Sequence, residues 1–269
     1  QQLEAIVALD RSHPVTLVPT FLGAHAIPAE YQGRADAYVD LVVREMLPAV
    51  VEKARELQLP TLPFCDVFCE EGAFDLAQSR RILEAARALG FPLKIHVDEF
   101  KSLGGTSLAV ELGALSADHL VTTPPEELAL LGKAQTVAVA LPCTPFGLGH
   151  HEYTPARALL AEGAALALAS DCNPGTAWNE SMPFVMALAC RTLRLTPGQA
   201  LVAATLNAAF ALGMGDRVGS LAPGYAADVL VLDVPDYRHL GYRFGANPVA
   251  AVLKAGRIVV DAGGVYGAD

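Results

Sequence analysis

The chain has 269 residues, 52% of them hydrophobic, and its mean hydropathy is +0.35. This length and composition predict an α/β protein that buries a parallel sheet in a large core. The net charge is -10 and the sequence contains no basic cluster. These features argue against nucleic acid and anionic membranes as partners, but they leave small anionic substrates open.

The five cysteines are scattered and form no Cys-x-x-Cys pair, which favours reduced thiols and a cytoplasmic protein. No apolar run reaches the roughly 18 residues that a membrane-spanning helix needs. The chain begins with Gln1 instead of Met, as a fragment of a longer protein would.

Hydrophobic periodicity predicts strands that alternate with helices along most of the chain. The predicted strands lie at residues 15–21, 66–69, 93–98, 118–121, 137–141 and 165–170. The predicted helices lie at residues 36–58 with a break or kink at Pro48, 75–90, 105–113, from 124 onward, 155–162, 181–193 and 197–212. Beyond Gly219 the pattern changes to short strands, with a hairpin around Ala255 and Gly256.

The strand around His96 carries an ionisable face. Leu93, Ile95 and Val97 alternate with Lys94, His96 and Asp98. Charged groups inside a sheet cost several kcal/mol unless a metal or an opposite charge compensates them, so this pattern indicates a site. A buried, hydrogen-bonded histidine is the alternative. His119 and Asp171 also end predicted strands, and two histidines with one aspartate at strand ends suit a hydrolytic metal site on a barrel.

Six strand-helix units in succession predict a parallel barrel, and a (β/α)8 barrel needs eight strands. We therefore expect the missing two strands to precede residue 1. Residues 1–215 are predicted to form the barrel domain, incomplete at its N-terminus, and residues 216–269 part of a small β-sandwich.

Four segments carry a family resemblance: residues 20–25 (TFLGAH), 66–70 (DVFCE), 96–99 (HVDE) and 170–175 (SDCNPG). With this order and spacing, the chain resembles the amidohydrolase superfamily and, within it, the imidazolonepropionase family. The resemblance implies a (β/α)8 barrel and one divalent ion, zinc or iron. It also implies hydrolytic ring opening of 4-imidazolone-5-propanoate to N-formimino-L-glutamate in histidine degradation.

The same resemblance implies roles for individual residues. His96 and Asp171 match metal ligands, and His119, Asp171 and Glu99 match catalytic positions. The matching substrate contacts are His25, Glu99, Asn173, Gly175 and Thr176. An HxH motif, which supplies two further ligands in the superfamily, is absent from this sequence, and His150-His151 has the wrong spacing and position to replace it.

Two alternatives stay open beside this interpretation. One is a related deaminase of purines or pyrimidines, which would share the barrel and the metal ligands. The other is an inactive fragment of the longer enzyme. A homodimer that binds a small-molecule substrate, and neither nucleic acid nor a membrane, is the expected assembly.

Overall fold

A computed structural model describes residues 1–265 of the chain. Its larger sheet has six parallel strands in the order β1-β2-β3-β4-β5-β6. The bounds are β1 Thr20–Ala24, β2 Phe64–Cys69, β3 Lys94–Val97, β4 Ser116–His119, β5 Val137–Ala140 and β6 Leu166–Leu168. Sequential order with helical connections is the pattern of a singly wound barrel sheet, and it confirms the predicted succession of strand-helix units.

Helices connect the strands and pack against one face of this sheet, whereas the last helix contacts the opposite face at β5 and β6. Their bounds are α1 Gln2–Ser12, α2 Ala35–Leu41, α3 Leu47–Glu56, α4 Leu76–Ala88, α5 Gly105–Leu112, α6 Pro125–Leu131, α7 Cys143–Leu148, α8 Ala156–Ala161, α9 Met182–Arg191, α10 Pro197–Ala204 and α11 Leu206–Ala211. The start of α4 shows how local sequence sets these bounds. Asp75 and Gln78 form a capping box, in which each side chain accepts a hydrogen bond from the other residue's backbone N–H.

The two faces of the larger sheet differ in composition. Its outer face, which includes Val67, Ile95 and Ala138, packs into the main core with the helices. Its inner face carries Asp66, His96 and Asp118 on β2 to β4, and Val139 and Ala167 on β5 and β6. The polar residues therefore share the side of the sheet that a barrel encloses.

Several predicted bounds are wrong by a few residues. The first strand begins at Thr20 and not at residue 15, because Pro19 cannot donate to a ladder and the first parallel pair joins Thr20 to Phe64. At the fourth strand, His119 and Leu120 have φ values of 81° and 59°, so β4 ends at His119 and does not reach residue 121. Asp98, with φ of 55°, ends β3 in the same way.

Two helical predictions also need correction. The break or kink predicted at Pro48 is a π-helical turn at Val42–Met46, which lies directly before α3 and joins it to α2 without interrupting the helical run. The predicted helix 197–212 is two helices, separated at Thr205, whose φ of -123° and ψ of -87° are not helical. Helices α1 and α7 were not predicted.

The tail forms a separate antiparallel sheet of four strands in the order β10-β9-β8-β7. Its strands are β7 Val229–Leu232, β8 Val249–Lys254, β9 Arg257–Asp261 and β10 Gly264–Val265. The hairpin predicted at Ala255-Gly256 is confirmed: both residues have positive φ, as a type I′ turn requires. No helix within residues 1–265 is long and apolar enough to cross a bilayer.

Candidate functional site

The carboxyl ends of the parallel strands bring the predicted histidines together. His25 follows β1, and its ring centroid lies 6.1 Å from that of His96 on β3. The His96 centroid lies 5.2 Å from that of His119 at the end of β4. Parallel strands end at one edge of a sheet, so residues far apart in sequence become neighbours here.

His96 is held by a carboxylate on the neighbouring strand. Its Nδ1 lies 3.0 Å from Oδ1 of Asp66, a residue only 3% exposed on β2. Burial alone would lower the pKa of His96, but the charge and hydrogen bond of Asp66 outweigh it and raise the pKa to about 9.

His119 lies in the opposite electrostatic situation. It is 3% exposed, and burial, together with the charges of His96 and His25, lowers the pKa of His119 well below its ordinary value. Its imidazole is therefore neutral near pH 7. Thr154 Oγ1 donates a 2.6 Å hydrogen bond to the His119 carbonyl, which holds the left-handed end of β4 in place.

The two predicted catalytic carboxylates lie close enough to influence each other. Burial, with a further contribution from the charge of Asp171, raises the pKa of Glu99 to about 7. Glu99 Oε2 lies 3.6 Å from His119 Nε2. Asp171 is half-buried and lies just after the end of β6. Its Oδ2 accepts a 2.6 Å hydrogen bond from Thr144 Oγ1. The site thus combines carboxylates with imidazoles, and the pKa values of Glu99, His96 and His119 all depart from their ordinary values.

The predicted substrate contacts at residues 173–176 form a tight loop beside Asp171. Asn173 Oδ1 accepts hydrogen bonds of 2.9 Å from the backbone N–H groups of Gly175 and Thr176, and its Nδ2 donates to the Asp171 carbonyl at 2.7 Å. These bonds fix the loop next to the site. A substrate contact by Asn173, Gly175 or Thr176 stays a prediction.

Lys94, predicted to lie on the ionisable face of its strand, is buried on that face. Three further buried residues of the site were not predicted: Asp66 and Asp118 on the inner face, and Thr144 after β5. A signal existed for the first two, because Asp66 interrupts the apolar run of β2 and Asp118 lies two positions from Ser116 on the same side of β4. Thr144 carries no comparable signal, because its contact with Asp171 depends on how the start of α7 packs against the segment that follows β6.

The donor set suits a divalent transition metal. His96 and Asp171 offer an imidazole nitrogen and a carboxylate oxygen, the ligand types that zinc and iron(II) bind. Ligand atoms of Asp66, His96 and Asp118 also lie within 4.8 Å of one another. This trio shares His96 with the predicted pair His96 and Asp171 but lies deeper on the inner face.

A cavity of about 460 Å³ opens beside the site. Glu99 and Thr144 line its inner part, and the exposed His150 and His151 line its mouth. Phe100 packs edge-on against His150 with ring centroids 6.0 Å apart. The cavity therefore gives a small molecule access to Glu99.

Comparison with known proteins places this geometry in a family. Residues 70–259 match the family model described as the amidohydrolase family. An imidazolonepropionase from Herpetosiphon aurantiacus is 60% identical over 96% of this chain, and one from Symbiobacterium thermophilum is 52% identical over 98%. The chain spans about 60% of the length of these relatives, 60% and 61% respectively.

Solved structures show the same fold. An adenosine deaminase from Xanthomonas campestris with bound zinc superposes with a TM-score of 0.67 at 22% identity, covering 92% of this chain and 62% of that one. The ochratoxinase of A. niger gives 0.64 at 20% identity, covering 84% and 55%. These likenesses confirm the predicted α/β fold of the barrel type. With the matched family model, they show that the chain belongs to the amidohydrolase family.

Proposed function

We propose that the whole protein is an imidazolonepropionase, which opens the ring of 4-imidazolone-5-propanoate with water to give N-formimino-L-glutamate. The observation that carries the proposal is the convergence of His96, His119, Glu99 and Asp171 at one edge of the sheet. Its substrate class is supported by the 60% identity to a curated imidazolonepropionase.

His96 and Asp171 would hold the divalent ion, zinc or iron. Such an ion polarises a carbonyl group and lowers the pKa of a bound water molecule from 15.7 toward roughly 7. His96 lies on β3, and Asp171 lies just after the end of β6. Further ligands would come from residues outside this chain, since it contains no HxH motif.

The side chains then have distinct tasks in the reaction. Asp171 accepts a proton from the attacking water and passes it to the ring nitrogen as the carbonyl C–N bond breaks. His119, kept neutral by burial, donates a hydrogen bond to the carbonyl oxygen as negative charge develops there. Glu99 lines the cavity and accepts a hydrogen bond from a ring N–H. His25 and the loop of Asn173, Gly175 and Thr176 would contact the substrate.

We further propose that residues 1–215 belong to an eight-stranded barrel whose first two strands precede residue 1. In the described residues, β1 pairs with β2 alone and β6 with β5 alone, so each leaves one edge open. Residues 216–269 would complete a sandwich with strands from the same upstream segment. A homodimer in the cytoplasm, with no nucleic acid or membrane partner, is the proposed state of the whole protein.

The test is to assay the full-length protein for loss of imidazolone absorbance, with adenosine and cytosine as deaminase substrates in parallel. We expect ring opening of imidazolone propionate and no deamination. Deamination without ring opening would favour the deaminase alternative, and neither activity in a folded, metal-loaded protein would refute the proposal. A matched control, residues 1–269 alone, should aggregate or dimerise through its open edges and show no turnover.

A further inference from the structure

The buried carboxylate of Asp66 forms a hydrogen bond with a histidine of the candidate site. Asp66 lies in the middle of β2, 3% exposed, and its Oδ1 atom is 3.0 Å from Nδ1 of His96 on β3. A carboxylate buried in a sheet is costly unless it is paired, and His96 is the partner with which it forms a hydrogen bond. The proposed reaction does not use Asp66, so its burial calls for another explanation.

The geometry of this contact determines which nitrogen of His96 is available. The Asp66 carboxylate accepts the hydrogen bond, so Nδ1 carries the hydrogen. The lone pair of the neutral ring then belongs to Nε2, and the hydrogen bond also fixes the rotation of the ring. Carboxylates that bind the second nitrogen of a ligating histidine orient the ring and increase its basicity.

We propose that Asp66 is a positioning residue that presents Nε2 of His96 to the metal ion. The inference rests on the proposed function, because it takes His96 to be a metal ligand. Asp66 itself does not bind the ion in this arrangement; it acts through His96.

The alternative is that Asp66, His96 and Asp118 together chelate an ion, since their ligand atoms lie within 4.8 Å of one another. The surroundings of Asp118 argue against it. Lys94 on the same inner face donates a 2.8 Å hydrogen bond to Ser116 Oγ, and its positive charge acts on Asp118. A cation bound between the two aspartates would be repelled by this ammonium group, whereas an ion at Nε2 of His96 needs neither carboxylate.

The test measures the zinc dissociation constant of the full-length protein by competition with a chromogenic chelator. Asp66→Leu removes the hydrogen-bond acceptor and should weaken zinc binding by about 10- to 100-fold. Asp66→Asn retains an amide oxygen that can accept from Nδ1–H, so its loss should be clearly smaller. Asp118→Asn is the matched control, a buried aspartate on the same face, and should leave the dissociation constant close to that of the wild type.

Two outcomes would overturn the proposal. Equal weakening by Asp66→Leu and Asp118→Asn would indicate a chelating trio, and unchanged zinc binding in Asp66→Leu would deny Asp66 any role toward the metal. His96→Ala separates these results from failure of the proposed function. If His96→Ala binds zinc as tightly as the wild type, the metal site at His96 is itself wrong; if it loses zinc while Asp66→Leu does not, only the role of Asp66 fails.

A spectroscopic measurement covers the case in which Asp66→Leu does not fold. In ¹⁵N-histidine NMR of the zinc-loaded protein, His96 should show a hydrogen-bonded Nδ1–H and a metal-bound Nε2 in both the wild type and Asp66→Asn. Coordination through Nδ1 in either protein would contradict the proposal, and so would an Nδ1–H that exchanges with solvent as fast as that of the exposed His151.

Discussion

The inner face of the parallel sheet has two unlike halves. On β2 to β4 it carries Asp66, Lys94, His96 and Asp118, whereas on β5 and β6 it carries Val137, Val139 and Ala167, which pack with Ala211 of α11. We call these the polar half and the apolar half. Both halves belong to one parallel sheet and have the same backbone geometry. They differ because the buried charges of the polar half need opposite charges or hydrogen bonds, whereas the apolar half has no charges to compensate.

The charged residues of the polar half compensate one another. Its carboxylates, ammonium and imidazole lie on neighbouring strands, so each charge has an opposite charge or a hydrogen bond nearby. The apolar half needs no such pairing, and it contributes to the site through the connections that follow its strands, which supply Thr144 and Asp171. The candidate site therefore combines imidazoles from the ends of β1, β3 and β4 with a carboxylate, Asp171, that follows β6.

The largest effect is expected for Asp171, which follows β6, the last strand of the apolar half. The experiment asks whether this residue takes part in the reaction. In the full-length protein, Asp171→Ala should retain the fold but lose ring-opening activity by at least about a thousandfold, because it would remove the proposed metal ligand and proton acceptor together. Loss of imidazolone absorbance measures it. Asp216→Ala, at an aspartate whose side chain is 83% exposed, is the control. More than a tenth of wild-type kcat in Asp171→Ala would remove this residue from the mechanism.

Glu99→Gln tests the carboxylate that follows β3, a strand of the polar half. It preserves shape but removes the charge, so kcat/KM should fall by roughly ten- to a thousandfold while metal content stays near one ion per chain. Glu71→Gln, at an exposed glutamate paired with Lys101, should change neither quantity. An empty metal site in Glu99→Gln would mean that Glu99 is a ligand and not a substrate contact.

Within the polar half, Lys94→Met should lower the free energy of unfolding by about 2 kcal/mol. It removes the hydrogen bond to Ser116 and leaves Asp118 buried without its neighbouring positive charge. Urea denaturation of the full-length protein measures the change. Adding Asp118→Leu should recover most of the loss, since an apolar pair needs no compensation. A double variant less stable than Lys94→Met would show that the two side chains do not compensate each other.

The smallest effect concerns the contact between the two connections of the apolar half. Thr144→Val is nearly isosteric and removes the 2.6 Å hydrogen bond to Asp171 Oδ2, so kcat should fall by about tenfold with little change in stability. Thr136→Val, at a buried threonine just before β5, is the matched control. If both variants have wild-type kcat, Asp171 is positioned by other contacts.

Much of this arrangement follows from the sequence because it depends on local pattern. Apolar periodicity predicts the six strand-helix units, and the ionisable residues at strand ends predict that His96, His119 and Asp171 approach one another. The bounds of β1 and β4 were less predictable. Pro19 precedes the first residue pair of β1, and left-handed residues at His119 and Leu120 end β4. Both features set the bounds through their effect on strand pairing.

Only the tertiary structure decided which side chains contact His96 and Asp171. The alternation of side chains tells which residues of β2 and β3 face one side, but the pairing of Asp66 with His96 depends on the register between the strands, which a single sequence does not specify. Thr144 meets Asp171 because the start of α7, which follows β5, lies beside the segment that follows β6. The candidate site residues His96, His119 and Asp171 can thus be recognised in the sequence, whereas the contacts that orient them depend on how separate strands are brought side by side.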